Sequence, residues 1–250
     1  MNNATKRELK KQDQFISLTE HGVEWANQNR RSAITTASLL LIVILAIVGG
    51  YLGYQHRENA AATAFGAAMQ TYQTPLVTAG QALPPGMKTF PDAAARARAA
   101  NAQFTDAASR YSLTSSGKLA LYFAGLTYME EGQNSSAEDT LKKVSSSWDR
   151  DLAALGKLAL AQLYQQTGRD PQAADIYNEL AKGKANTVPP SLAQIQLAEM
   201  YSSEGKADQA KQIYAKLKDS DKDAQGNPGP AGALAAEKLN PKPAGPAGPQ

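Results

Sequence analysis

The chain offers little for catalysis. It holds two histidines, His21 and His56, and no cysteine. An uncharged apolar stretch lies between the two histidines, so everything after His56 lacks both residue types. That removes Ser-His-Asp and Cys-His nucleophilic catalysis from the larger part of the chain, together with thiolate and imidazole metal sites. Carboxylates remain. Glu130-Glu131 and Asp149/Asp151 are the nearest approach to paired acids. Adjacent residues on a helix diverge, so both pairs read as solvated charges. Neither a P-loop nor a GxGxxG turn is present. The Asn134-Ser135-Ser136 triplet reads more simply as a helix start than as a modification site. The expectation is a non-enzymatic protein with no catalytic residue, cofactor or metal.

The elements that position these residues begin with a membrane signal. Ala33 to Tyr54 is 22 residues without a charge. At about 1.5 Å per residue it spans roughly 33 Å, the thickness of a hydrocarbon core. A soluble helix of this length keeps a charged face. A signal peptide has a shorter leader and a shorter apolar region. Tyr51 and Tyr54 stand where aromatics favour the interface. Gly49, Gly50 and Gly53 lack strict GxxxG spacing, so a helix-dimer motif is weak. Arg30 and Arg31 abut the N-side, backed by Lys6, Arg7, Lys10 and Lys11, against Arg57 alone close by on the other side. The basic bias puts the N-terminus in the cytoplasm and the rest outside a bacterial inner membrane. Residues 1–31 hold six basic and four acidic residues, so the net charge of +3 leaves the remainder near neutral. No clustered basic face points to nucleic acid. Without cysteine, lipoprotein attachment is excluded.

Within the tail, Phe15, Leu18, Gly22 and Trp25 share one helical face. It is either an interfacial helix on the inner leaflet or a solvated segment.

The remainder repeats. Ala124-Gly125-Leu126-Thr127-Tyr128 is followed by Gly132, Ala137, Leu141 and Val144. Leu160-Ala161-Gln162-Leu163-Tyr164 is followed by Gly168, Ala173, Tyr177 and Leu180. Leu197-Ala198-Glu199-Met200-Tyr201 is followed by Gly205, Ala210, Tyr214 and Leu217. The three tyrosines are 36 and 37 residues apart. Each unit predicts a first helix whose small residue and tyrosine share a face. A left-handed glycine then ends that helix, and a small residue lets the second helix approach closely. Asp170-Pro171 reads as N-cap and first helical position. No such pair buries its apolar face alone, so the units must stack.

This spacing resembles the tetratricopeptide family of antiparallel helix pairs, with slightly longer units. The extra residues fall around Ser145-Ser146-Ser147-Trp148 and in Asn186-Thr187-Val188-Pro189-Pro190. The family's Trp is Leu121, Lys157 or Gln194 here, and its terminal Pro is missing. The resemblance implies an all-α fold: one N-terminal transmembrane helix, then an α-solenoid of tetratricopeptide-like pairs. It also implies a protein-binding groove lined by the first helices, which places Tyr122, Leu126, Met129, Gln162, Gln165 and Glu199 there. The groove leucines either line it or pack against neighbouring helices. No Lys/Arg clamp for a carboxylate terminus is present. Apolar groove walls suit an extended or helical hydrophobic segment.

The expected map is a cytoplasmic basic tail over 1–31 and a transmembrane helix over 32–54. Membrane-proximal helices follow over 55–111, with a loop at 75–91. Three repeats occupy 118–153, 154–190 and 191–222 within 112–222. A linker and capping helix fill 223–239, and a disordered Pro/Gly tail 240–250. As a whole, the arrangement resembles the membrane-anchored tetratricopeptide family typified by the ancillary Sec translocon subunit YfgM. That resemblance implies protein partners: translocon subunits, a membrane-tethered periplasmic chaperone, or emerging polypeptides. Residues 33–54 would meet the lipid bilayer. An assembly factor for a secretion, pilus or cell-division complex is the alternative.

Overall fold

The computed structural model describes residues 29–77, 86, 88–223 and 225–240. The expectations for residues 1–28, including the Phe15–Trp25 face and His21, lie outside the described residues. So do most of the 75–91 loop and residues 241–250 of the tail. Among the described residues there are nine helices and no extended strand. The chain divides into two compact units, Met1–His56 and Arg57–Gln250.

Helix α1 (Arg30–Tyr72) begins in the first unit and ends in the second. Within the first unit its side chains have no protein cover: Leu39, Ile42 and Ile47 are 65%, 66% and 65% exposed. A backbone hydrogen-bonded within itself and bare apolar side chains are what a bilayer requires of a spanning helix. Among the described residues α1 is the one helix long and apolar enough to cross a membrane. The Ala-rich segment after the apolar stretch continues it as one helix, which stops at Tyr72.

The second unit adds α2 (Ala93–Arg110), α3 (Ser115–Glu130), α4 (Asn134–Ser145), α5 (Arg150–Gln166), α6 (Asp170–Leu180), α7 (Pro190–Ser203), α8 (Ala207–Ser220) and α9 (Pro230–Leu239). Each of α2 to α9 packs on its neighbours in sequence, with further contacts between α3 and α5 and between α7 and α9. The starts of α2 and α5 are capped by Asp92 and Asp149, whose carboxylates accept backbone N–H groups. Such side chains satisfy donors that the first helical turn leaves unpaired. Helix α3 has two caps. Thr114 Oγ1 accepts from Gly117 N at 3.0 Å, and the Glu58 carboxylate of α1 accepts from Ser115 N and Ser116 N at 2.8 and 3.0 Å.

The three helix pairs α3–α4, α5–α6 and α7–α8 are closed by one device. Gly132, Gly168 and Gly205 have φ of 73°, 70° and 77°, the left-handed region expected for them. The following residue donates back to the tyrosine carbonyl: Gln133 N to Tyr128 O (2.9 Å), Arg169 N to Tyr164 O (2.7 Å) and Lys206 N to Tyr201 O (2.8 Å). A second bond runs from each glycine N–H to Met129, Gln165 or Ser202. Together they form the Schellman closure of a helix C-terminus. Beyond the turn, Ala137, Ala173 and Ala210 are buried, as are Leu141, Tyr177 and Tyr214 one turn later.

The core is a chain of adjoining clusters. Phe65 and Tyr72 of α1 meet Phe104 of α2 and Phe123 of α3, with ring centroids 5.4–6.2 Å apart. Buried Asn101 donates to Ala124 O and Thr127 Oγ1 there, tying α2 to α3. The next cluster joins Leu141, Leu163, Tyr177 and Met200 from α4 to α7. The last places Leu217 and Tyr214 against Ala231 and Ala235 of α9, which lies within the stretch where the sequence suggests a capping helix.

Two local expectations are corrected and a third is refined. Asp170 is not an N-cap. Arg169 holds that position and Asp170 is already helical, because the turn at Gly168 leads straight into α6. Pro171 falls one place later, where its missing N–H still costs no helix bond. Glu131 is not solvated: its side chain is 2% exposed, folded back from the α3 C-cap toward Arg98 of α2. Asp151 stays accessible to solvent but is not without a partner. It accepts from Asn186 N and Thr187 N at 2.6 and 3.3 Å and ties the α6–α7 loop to the start of α5.

Gly117 marks the tightest approach. A Cβ there would stand 1.9 Å from the Tyr111 carbonyl oxygen, which is backbone and cannot swing away. Gly117→Ala is expected to cost about 2–3 kcal/mol through overpacking. Gly168→Ala meets open space and costs only its backbone strain, about 1 kcal/mol. Denaturant unfolding of the two variants checks the order, and equal losses would contradict it.

Candidate protein-binding surface

Tyr122, Leu126 and Met129 stand at spacings of four and three on α3. All three are half-buried and pack against the cluster built from α4 to α7. Part of each side chain is therefore core. Leu126 and Met129 keep a free side, where they line a 230 Å³ recess with Tyr72, Glu130 and Gln166. Its floor is apolar and its wall polar. The Tyr72 hydroxyl donates to Glu130 and is pushed up to about 12, first by burial and then by that carboxylate. The Arg96 guanidinium sits 5.5 Å from the Tyr72 ring centroid. Tyr122 sits edge-on to Phe123 at 5.4 Å, and burial raises its hydroxyl pKa.

Two more residues of the expected groove have partners of their own. Gln165 Oε1 accepts from the Tyr177 hydroxyl at 2.7 Å, fixing α5 to α6. Burial, then the Glu199 charge, pushes that phenol up to about 12. Glu199 of α7 meets Lys238 of α9 at 3.3 Å. Gln162 is half-buried on α5. The recess takes its α5 member from Gln166 and not from Gln162 or Gln165. The structure thus brings Leu126 and Met129 together and leaves Glu199 in a part-exposed ion pair with the terminal helix.

Glu138 was invisible in the sequence. Its carboxylate takes Arg169 Nη1 and Lys142 Nζ, both at 2.8 Å, and the Tyr164 hydroxyl at 3.1 Å. The Arg169 guanidinium also lies over the Tyr164 ring at 4.3 Å from its centroid. One acid on α4 is therefore bound to the turn that closes the next pair. Lys206 repeats half of this arrangement, 5.5 Å from the Tyr201 ring centroid. The signal available in the sequence was a cation directly after the turn glycine in two of three units.

Among the described residues, no group of three or more His, Cys, Asp or Glu is placed to hold a metal ion. No family model, curated protein or solved structure matches the chain.

The Glu138 carboxyl is lowered from 4.5 to about 2, chiefly by hydrogen bonds from Lys142 and Arg169. A carboxyl depressed in the folded state stabilises above its unfolded value. That contribution is complete above about pH 4.5 and drains away as pH falls toward about 2. Glu138→Gln is expected to cost about 1–2 kcal/mol at pH 7, the scale of hydrogen bonds to a charged group at a partly exposed site. The deficit should close on acidification through that window. Unfolding curves of both proteins from pH 7 to 2 check it, and a pH-independent deficit would refute the assignment.

Proposed function

We propose that the chain is a single-pass scaffold of the bacterial inner membrane. The N-terminus is cytoplasmic and α1 is the anchor. Residues 57–239 form a periplasmic array of tetratricopeptide-like helix pairs that binds protein and performs no chemistry. One observation carries this reading: three helix pairs closed by the same glycine–tyrosine turn and packed in chain order, following a helix whose apolar face has no protein cover. Repeats that bury apolar surface only against their neighbours make extended binding faces. The absence of Cys and His after residue 56 supports a non-enzymatic role. The family resemblance points to the Sec translocon, to a membrane-tethered chaperone, or to chains emerging between them.

The binding surface narrows to the α3 end of the expected groove. Leu126 and Met129 offer an apolar floor and Tyr72, Glu130 and Gln166 a polar wall. This suits one apolar side chain of a bound segment, with hydrogen bonds to its backbone. Affinity purification of the tagged full chain from detergent extracts tests the reading. Translocon or periplasmic chaperone components should be enriched. Met129→Glu should lower their recovery about tenfold or more, the scale of a lost interface anchor. Recovery of secretion, pilus or division components instead would favour the assembly-factor alternative. Undiminished recovery with Met129→Glu would remove the recess from the binding surface.

A further inference from the structure

Antiparallel packing gives the second unit two edges. The glycine turns at 131–133, 167–169 and 204–206 lie on one, and the connections 111–114, 146–149 and 181–189 on the other. The unit's own first residues are held at the connection edge. Arg57 Nη2 donates to Arg110 O at 2.9 Å, and Glu58 caps α3 at Ser115 and Ser116. The edge is continuous from there. Lys118 and Leu121 share a 200 Å³ recess with Lys143, Val144, Trp148 and Leu152. Ser145–Ser147 and Arg150 then face Gly183, Lys184 and Val188 across a 390 Å³ cleft.

Two bulky apolar side chains stand bare on this edge. Trp148 is 100% exposed and Leu113 83%. Beyond the apolar stretch of α1, Val77 at 51% is the one other exposed large hydrophobe among the described residues. The charges on the edge are lopsided in their engagement. Lys118, Lys143, Lys182 and Lys184 form no ion pair among the described residues. Of the acids beside these lysines, Glu58 and Asp149 act as caps, Asp151 binds the 186–187 backbone, and Glu179 meets Lys157 at 2.5 Å. Free lysines around a bare tryptophan suit an anionic surface with an apolar layer just beneath it.

Chain connectivity selects which surface. Arg57 follows Tyr54, the last residue of the apolar stretch, by three residues. Three residues reach at most roughly 10 Å. Whatever surrounds the end of that stretch is therefore presented to this edge at high effective concentration. We propose that the connection edge lies on the bilayer that holds α1. Trp148 and Leu113 sit at headgroup level, and the four lysines lie on anionic headgroups. The proposal rests on reading 33–54 as a membrane span. Tryptophan favours this depth because its ring is apolar and its N–H needs a polar partner. Lysines near an anionic leaflet add attraction that salt weakens.

The chain has two tryptophans, so Trp25→Phe leaves Trp148 as the sole emitter. The full chain carrying that change is reconstituted into vesicles of phosphatidylcholine with phosphatidylglycerol in equal parts, and into phosphatidylcholine alone. In the anionic vesicles Trp148 emission should shift to the blue, and a headgroup-level nitroxide lipid should quench about half of it or more. The Lys118→Gln/Lys143→Gln/Lys182→Gln/Lys184→Gln variant should lose that quenching and still resist alkaline extraction. A chain that resists extraction while Trp148 keeps water-exposed emission in both vesicles would overturn the edge contact and leave the anchor standing. Extraction of the unaltered chain by alkali would sink the anchor reading, and this proposal with it. Shielding of Trp148 that appears only when a protein partner is added would assign the edge to protein and overturn the lipid contact.

Discussion

The backbone bond from the residue after each turn glycine to the tyrosine carbonyl is the constraint on which the second unit rests. It exists because glycine alone enters the left-handed region without strain. It fixes where the first helix stops and sends the second back along it. Gly132, Gly168 and Gly205 do this three times with nearly the same φ. Once the turn is set, Ala137, Ala173 and Ala210 fall at buried positions, where a small residue lets the helices approach closely. Leu141, Tyr177 and Tyr214 then fill the space one turn on. The tyrosine is held twice over: its carbonyl receives the turn, and in two units its ring lies under the next cation.

What joins one pair to the next is polar and specific. Glu138 reaches from α4 to Arg169 in the turn between α5 and α6. Asp151 reaches from α5 to the 186–187 backbone before α7. Both are carboxylates whose pKa is lowered by the hydrogen bonds they accept. Apolar clusters alone would let neighbouring pairs slide, because dispersion and burial are not directional. The acids fix the register. At the other end of the unit, Glu58 does the same between its first residues and α3.

This division explains what the sequence revealed. The turn glycines, the small residues and the tyrosines are local signals, each within a dozen residues of its partner, and their spacing could be read. The apolar stretch of α1 was readable for the same reason. Glu138, Asp151 and Glu58 find partners 31, 35 and 57 positions away. No local pattern distinguishes them from acids without a partner. Glu131 was misread because the residue it meets, Arg98, lies 33 positions earlier on α2 and no local pattern announces it. The expected groove fared unevenly for a related reason. Leu126 and Met129 pack on later helices on one side and line the recess with Gln166 of α5 on the other. Gln165 and Glu199 were taken by Tyr177 and Lys238, from α6 and α9.

The proposed scaffold would act only through what occupies its surface, and the proposal places a partner at the recess beside Met129. The most direct measurement is photocrosslinking in living cells from a photoreactive residue at Met129, with the exposed Asp175 on α6 as control. The account predicts a polypeptide adduct of defined mass from Met129, identified as a translocon or chaperone component, and none from Asp175. No adduct at Met129, or the same adducts from both positions, would contradict it.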